Sequence, residues 1–204
     1  MDPRLDLNQH DPDIMAAFEP LPGPSRISFI CTVAERLHPI DKAFHIGNEW
    51  HILEPVITAG WAAVRGPKSK TKIARQVTDN MWTYFGACHD RREALRLYPM
   101  GPAVDLVRAI AKPLDPYSAT CAARSHRTLR LAAAEIDEVL RLAGSPAAGE
   151  ATLDATQWLA AQLAAVQSGP LPGTGIDPAT GNGLPRWWEE LRKLPNPVRA
   201  LPEA

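Results

Sequence analysis

At 204 residues, 45% of them hydrophobic and 22% charged, the chain has the length and apolar content of one globular domain with a substantial core. A formal net charge of -1 removes any whole-chain electrostatic argument for a nucleic-acid or membrane partner. Cys31, Cys88 and Cys121 are too few and too far apart for a disulfide framework and read as reduced thiols of a cytoplasmic protein.

The start, MDPRLDLNQHDPDI, lacks the basic and apolar regions of a secretory signal, and no apolar run approaches a membrane span. Five prolines among the first 24 residues, ending in PLPGPS, predict an extended arm. A helix follows from Ser25 as cap, with Ile27, Ile30, Ala34 and Leu37 at three- and four-residue steps and Cys31 on the same stripe. Pro39 is expected to stop it.

The second helix runs to about Arg65 on the stripe Trp50, Leu53, Ile57, Trp61 and Val64, with Pro55 either in its first turn or kinking it. A third is expected over roughly Ser69 to Phe85, and a short one from Asp90 with Glu93 completing a capping box. Another follows Pro102. The longest takes Asp115 as cap and Pro116 as its first residue, turns Leu129, Ala132, Ile136, Val139 and Ala143 inward, and ends at Leu142 before Gly144.

A helix over Thr152 to Gln167 has the stripe Leu153, Thr156, Leu159, Leu163 and Val166. After Ser168 the composition shifts: seven prolines fall in the last 35 residues, around one helical patch, PRWWEELRKL. No segment alternates as a strand does. The expected architecture is all-α: a single bundle of about six to eight helices over residues 25–168, with Pro-rich arms at 1–24 and 169–204, the second carrying the short Trp-containing helix.

The stretch AERLHPIDKAFHIGNEWHILEP raises the question of a metal site. Cys31, His38 and His45 are seven apart, which on one continuous helix would align them. Pro39 and Gly47 break that helix, no pair has zinc-ribbon or HExxH spacing, and Glu35 with His38 makes a single ExxH where di-iron bundles use two. The reading is therefore no metal and no cofactor. A metal-dependent helical enzyme using Glu35, His38, His45 and His51 stands as a distant alternative.

Other catalytic signals are equally weak. GWAAVRGPKSKT resembles a phosphate loop in composition, yet five residues separate Gly60 from Gly66 and Pro67 precedes Lys68, so the Walker geometry fails. Cys88 beside His89, and Cys121 five before His126, do not define a nucleophile and its base. KTKIARQVTDNMWTYFG lacks the turn glycine and polar readers of a helix-turn-helix.

Charge distribution says more. Residues 60 to 130 hold 13 Lys and Arg against 5 Asp and Glu, so the remainder is acidic. Arg65, Lys68, Lys70, Lys72 and Arg75 form one basic cluster, Arg124, Arg127 and Arg130 with His126 a second, and Arg91, Arg92 and Arg96 a third. Trp187, Trp188, Leu191 and Leu194 give the last helical patch an apolar face suited to a partner's groove. The leading expectation is a non-enzymatic helical binding protein (adaptor, inhibitor or immunity-type partner) that engages another macromolecule, a protein by preference, through its basic central face and apolar arms. The alternative is nucleic-acid binding through the clusters at 65–75 and 124–130. Ala-, Arg- and Pro-rich usage points to a GC-rich bacterial source.

Overall fold

A computed structural model describes residues 11–44, 53–66, 98–111, 116–174 and 185–194. The helices expected at 69–85 and from Asp90, and the first ten residues, lie outside the described residues. Seven helices are present among those described: α1 Pro12–Phe18, α2 Gly23–Phe44, α3 Leu53–Arg65, α4 Met100–Ala111, α5 Pro116–Leu142, α6 Glu150–Val166 and α7 Arg186–Lys193. The all-α bundle read from the sequence is the observed architecture, and the described residues hold no helix long and apolar enough to cross a membrane.

The centre of the bundle is α2, which packs against α3, α4, α5 and α6. Its residues from Ser25 to Ala34 are all buried, polar ones included. Burial on every side is possible because the polar groups find partners at once: Ser28 Oγ donates to Ser25 O at 2.8 Å and Thr32 Oγ1 to Phe29 O at 2.8 Å. The Ser25 hydroxyl, expected as a cap, lies inside the helix instead and has no hydrogen-bond partner among the described residues.

Pro39 does not stop this helix. It sits inside α2, which continues to Phe44. A mid-helix proline removes the bond to the carbonyl of Glu35 and costs about 3 kcal/mol. Burial of Leu37, His38, Pro39 and Ile40 offsets that cost.

The N-terminal segment is also not wholly extended. Asp11 caps α1, accepting from Asp13 N at 3.0 Å, and Pro12 occupies the first helical position. Phe18 at the other end is fully buried, its ring 4.7 Å from that of Phe29. The Arg26 guanidinium donates to the carbonyls of Phe18 (3.0 Å) and Glu19 (2.5 Å) and to Ser118 Oγ (2.8 Å), closing the C-terminus of α1 against α2 and α5.

α3 begins as expected, with Pro55 in its first turn, and Gly60 lets it approach the core: a Cβ there would meet Cys31 Sγ at 2.4 Å. α5 starts at Pro116 and ends in a Schellman motif, with Ser145 N donating to Leu140 O (2.9 Å), Gly144 N to Arg141 O (3.0 Å), and Gly144 at φ +68°. α6 is turned differently from its predicted stripe. Leu153 is 59% exposed and Thr156 is exposed, while Ala151, Ala155, Leu159 and Val166 are buried. Small alanines let α6 lie close against α5 and place Asp154 and Trp158 over Arg36, which needs both.

The chain then crosses α2. Leu171 N donates to Ser28 Oγ (2.9 Å), and Thr174 N and Oγ1 donate to Glu35 Oε2 (2.9 and 3.0 Å). Ser28 and Glu35 are two turns apart on α2, about 10.5 Å, which is the reach of three extended residues.

Candidate functional site

α5 supplies most of the polar side chains of interest, and their fates diverge with position on the helix. Successive residues turn by 100°, so the six-residue step from Arg124 to Arg130 carries the side chain a third of a turn around the axis. One basic cluster in sequence thus becomes two environments.

Arg124 faces α4. It donates to Asp105 Oδ1 at 2.5 Å and to Cys121 Sγ at 3.5 Å, and its guanidinium lies 5.5 Å from the centre of the Tyr117 ring. Ser125 Oγ donates to the other oxygen of Asp105 at 3.3 Å. Asp105 is 4% exposed and Arg124 8%. Burial raises the Asp105 carboxyl to about 6, against the pull of Arg124 in the opposite direction. Burial, with Asp105 adding to it, pushes the Cys121 thiol up to about 12 and leaves it protonated and unreactive.

Arg127 and Arg130, turned 60° and 120° from Arg124 about the helix axis, line an open groove of about 500 Å³. Ala123, Leu131 and Ala134 of α5 form its apolar part, and Thr152 and Thr156 of α6 line it as well. Asp11, the cap of α1, also lines it. Arg130 is exposed and Arg127 half-buried. Thr156 donates its hydroxyl proton to Thr152 O at 2.7 Å, which leaves its oxygen as an acceptor.

His126 also lines this groove, its ring stacked on that of Phe29 at 6.4 Å. Burial, then the charge of Arg130, lowers it to about 4 in spite of Asp11, so it is a neutral imidazole at pH 7. It can donate one hydrogen bond without adding charge.

The other predicted residues fall elsewhere. Arg65 is exposed at the end of α3; Lys68, Lys70, Lys72 and Arg75 lie outside the described residues, as do His45, His51, Cys88, His89, Arg91, Arg92 and Arg96. Glu35 accepts from Trp61 Nε1 at 2.6 Å as well as from Thr174, and His38 is buried. No group of three His, Cys, Asp or Glu side chains that could hold a metal occurs among the described residues.

Trp187, Trp188 and Leu191 are buried in the chain's own core, with Leu194 half-buried beside them. Trp187 Nε1 donates to Asp154 Oδ2 at 3.1 Å, the same oxygen that pairs with Arg36, while the Arg36 guanidinium stacks 4.8 Å from the Trp158 ring. The apolar face of α7 thus packs on the chain's own bundle, against α5 and beside Asp154 of α6.

Sequence reasoning named Arg127, Arg130 and His126 but missed Asp11, Thr152 and Thr156 as neighbours. The signal available was the run of small residues on α5, Ala123 and Ala134 among them, which leaves room beside the arginines. Comparison of the chain with family models, with curated proteins and with solved structures finds no match.

Proposed function

We propose that this chain is a non-enzymatic helical binding protein, of adaptor, inhibitor or immunity type, and that it engages another protein through the groove formed by α5, α6 and the start of α1. The observation that carries this reading is the convergence of Arg127, Arg130, His126, Thr152 and Thr156 on one open space. The most strongly shielded ionic groups, Asp105 with Arg124, are by contrast committed to each other. A groove with an apolar part and a few polar groups of fixed orientation is how proteins hold ligands.

The nucleic-acid alternative draws support from Arg127 and Arg130 sharing a face, but two arginines beside the carboxylate of Asp11 are a small charge for a phosphate backbone. The test is affinity purification of the tagged chain in parallel with Arg127→Glu/Arg130→Glu and with Arg192→Glu, an exposed site on α7. A defined protein recovered with the wild type and Arg192→Glu, and lost from the groove variant, is the expected result. Recovery that ignores the groove variant, or turnover of a small molecule without any partner, would sink the reading.

A further inference from the structure

We infer that α7 is an exchangeable helix, and that its seat on α5 and α6 also takes α7 from a second copy of this chain. This surface is separate from the groove. Asp154 and Glu150, which meet α7, each lie two residues from Thr152, about 200° around the axis of α6. The occupant is identified by what the seat already holds. Trp187 and Trp188 meet edge to face at 6.3 Å and are buried with Leu191, and the first indole donates to Asp154 Oδ2 at 3.1 Å. A second copy supplies the same helix with every contact intact, on the reciprocal terms of a two-fold exchange.

α7 owes its fold to its seat. It has eight residues, fewer than the roughly 12–15 that an isolated helix needs, and neither Pro185 nor Leu194 caps it with a side chain. Leaving the seat is therefore undocking and unfolding together, and the helix re-forms wherever it meets an equivalent seat.

The bundle keeps its polar pairing when α7 leaves. Asp154 Oδ2 also accepts from Arg36, whose guanidinium stays stacked on Trp158, so this carboxylate is not orphaned. Arg186 and Glu150, 3.4 Å apart, are exposed enough for water to replace their pair. What holds α7 is thus mainly apolar contact, which any copy of the helix supplies equally.

Chain length permits the exchange. Thr174 is held by Glu35, and Trp187 by the oxygen that pairs with Arg36, so neighbouring residues of α2 mark both ends of the connection. Ten residues, 175–184, join Thr174 to Pro185, with a reach of about 35 Å. That exceeds what closure within one chain demands, and it lets α7 reach a neighbouring seat while the crossing at Glu35 stays in place.

The experiment uses the full chain in light scattering from micromolar to millimolar concentration, and a fluorescein-labelled peptide of residues 184–194 followed by anisotropy. A dimer that grows with concentration is expected, together with saturable peptide binding that returns dimer to monomer. The same peptide with alanine for both tryptophans is expected to bind at least about tenfold more weakly. In the chain, Leu191→Ala loosens the resident α7, so it is expected to bind the wild-type peptide at least about tenfold more tightly while its own dimer falls. Trp188→Phe, a smaller loss of apolar area, is expected to shift both readouts the same way by less. Unchanged far-UV circular dichroism of each variant shows that the bundle remains folded.

A dimer that the peptide leaves intact lies at another surface and overturns the inference, as does a chain that neither dimerises nor binds the peptide. Peptide binding without a dimer at millimolar concentration overturns it too, by assigning the seat to a helix from another protein. None of these readouts involves Arg130 or Thr152, so failure here is distinct from failure of the groove.

Discussion

Asp105 on α4 and Arg124 on α5 form an ion pair sealed inside the bundle, with Oδ1 and a guanidinium nitrogen 2.5 Å apart and neither residue more than 8% exposed. Removing one partner leaves the other charge buried alone. Arg124→Ala or Asp105→Ala is therefore expected to cost about 3–5 kcal/mol in urea unfolding. The double change Asp105→Leu/Arg124→Met, which removes both charges and keeps the volume, is expected to recover most of that loss.

Acid brings two buried groups into opposition. The folded-state carboxyl of Asp105 titrates at about 6, above its ordinary value, so its contribution to stability is complete at low pH and is lost as pH rises through 6. His126 is lowered to about 4, so its contribution is complete above its ordinary range near 6.5 and is lost as pH falls toward 4. Each amounts to at most about 3 kcal/mol, with opposite sign.

Single substitutions should unmask each slope. Relative to wild type, His126→Gln is expected to gain stability between pH 7 and about pH 5, and Asp105→Asn to lose it. Thermal or urea unfolding across that interval checks both. Parallel profiles for all three proteins would show that neither group titrates as its surroundings demand.

A carboxylate on one helix begins the next. Both oxygens of Asp137 on α5 accept backbone N–H bonds from Gly149 (2.8 Å), Ala151 (3.0 Å) and Thr152 (2.8 Å), at the start of α6. They satisfy amides that have no intrahelical partner and complement the positive end of the helix dipole. Asp137→Ala is expected to cost about 1–2 kcal/mol. Because Thr152 lines the groove, the same variant should also weaken partner binding, whereas Glu138→Ala, at an exposed residue paired with Arg141, should leave both nearly unchanged.

Close approach of α3 to the core depends on a missing side chain. A Cβ at Gly60 would lie 2.4 Å from Cys31 Sγ and 2.8 and 2.9 Å from the terminal methyls of Leu106. Gly60→Ala is expected to destabilise by about 1–3 kcal/mol. Adding Cys31→Ala should restore part of this by clearing the tighter clash; no recovery would place the strain on Leu106 alone.

How far the sequence foretells these features depends on how local their causes are. The start of α5 at Pro116, its end before Gly144, Pro55 in the first turn of α3 and the helix in PRWWEELRKL are all set by neighbours in the chain. Asp11 with Pro12 was an equally local signal for α1, hidden by the density of prolines around it. Pro39 went the other way, since only tertiary burial of its flanks explains a helix that passes through it.

The candidate site was half legible. Arg127 and Arg130 stood out as charges, but their spacing could not tell which would face solvent and which, like Arg124, would be taken by an acid on another helix. Asp105 lies nineteen residues away in sequence, and no local pattern links the two. Asp11, Thr152 and Thr156 join the groove only through the packing of α1 and α6 on α5.

The most direct test of the groove as a partner site is photo-crosslinking from a benzophenone amino acid placed at Thr152, compared with one at Thr58, which is exposed on α3. A discrete crosslinked protein from Thr152, absent from Thr58 and abolished by Arg127→Glu/Arg130→Glu, is the expected result. Crosslinks that are equal at the two positions, or that persist in the charge-reversed protein, would contradict the account.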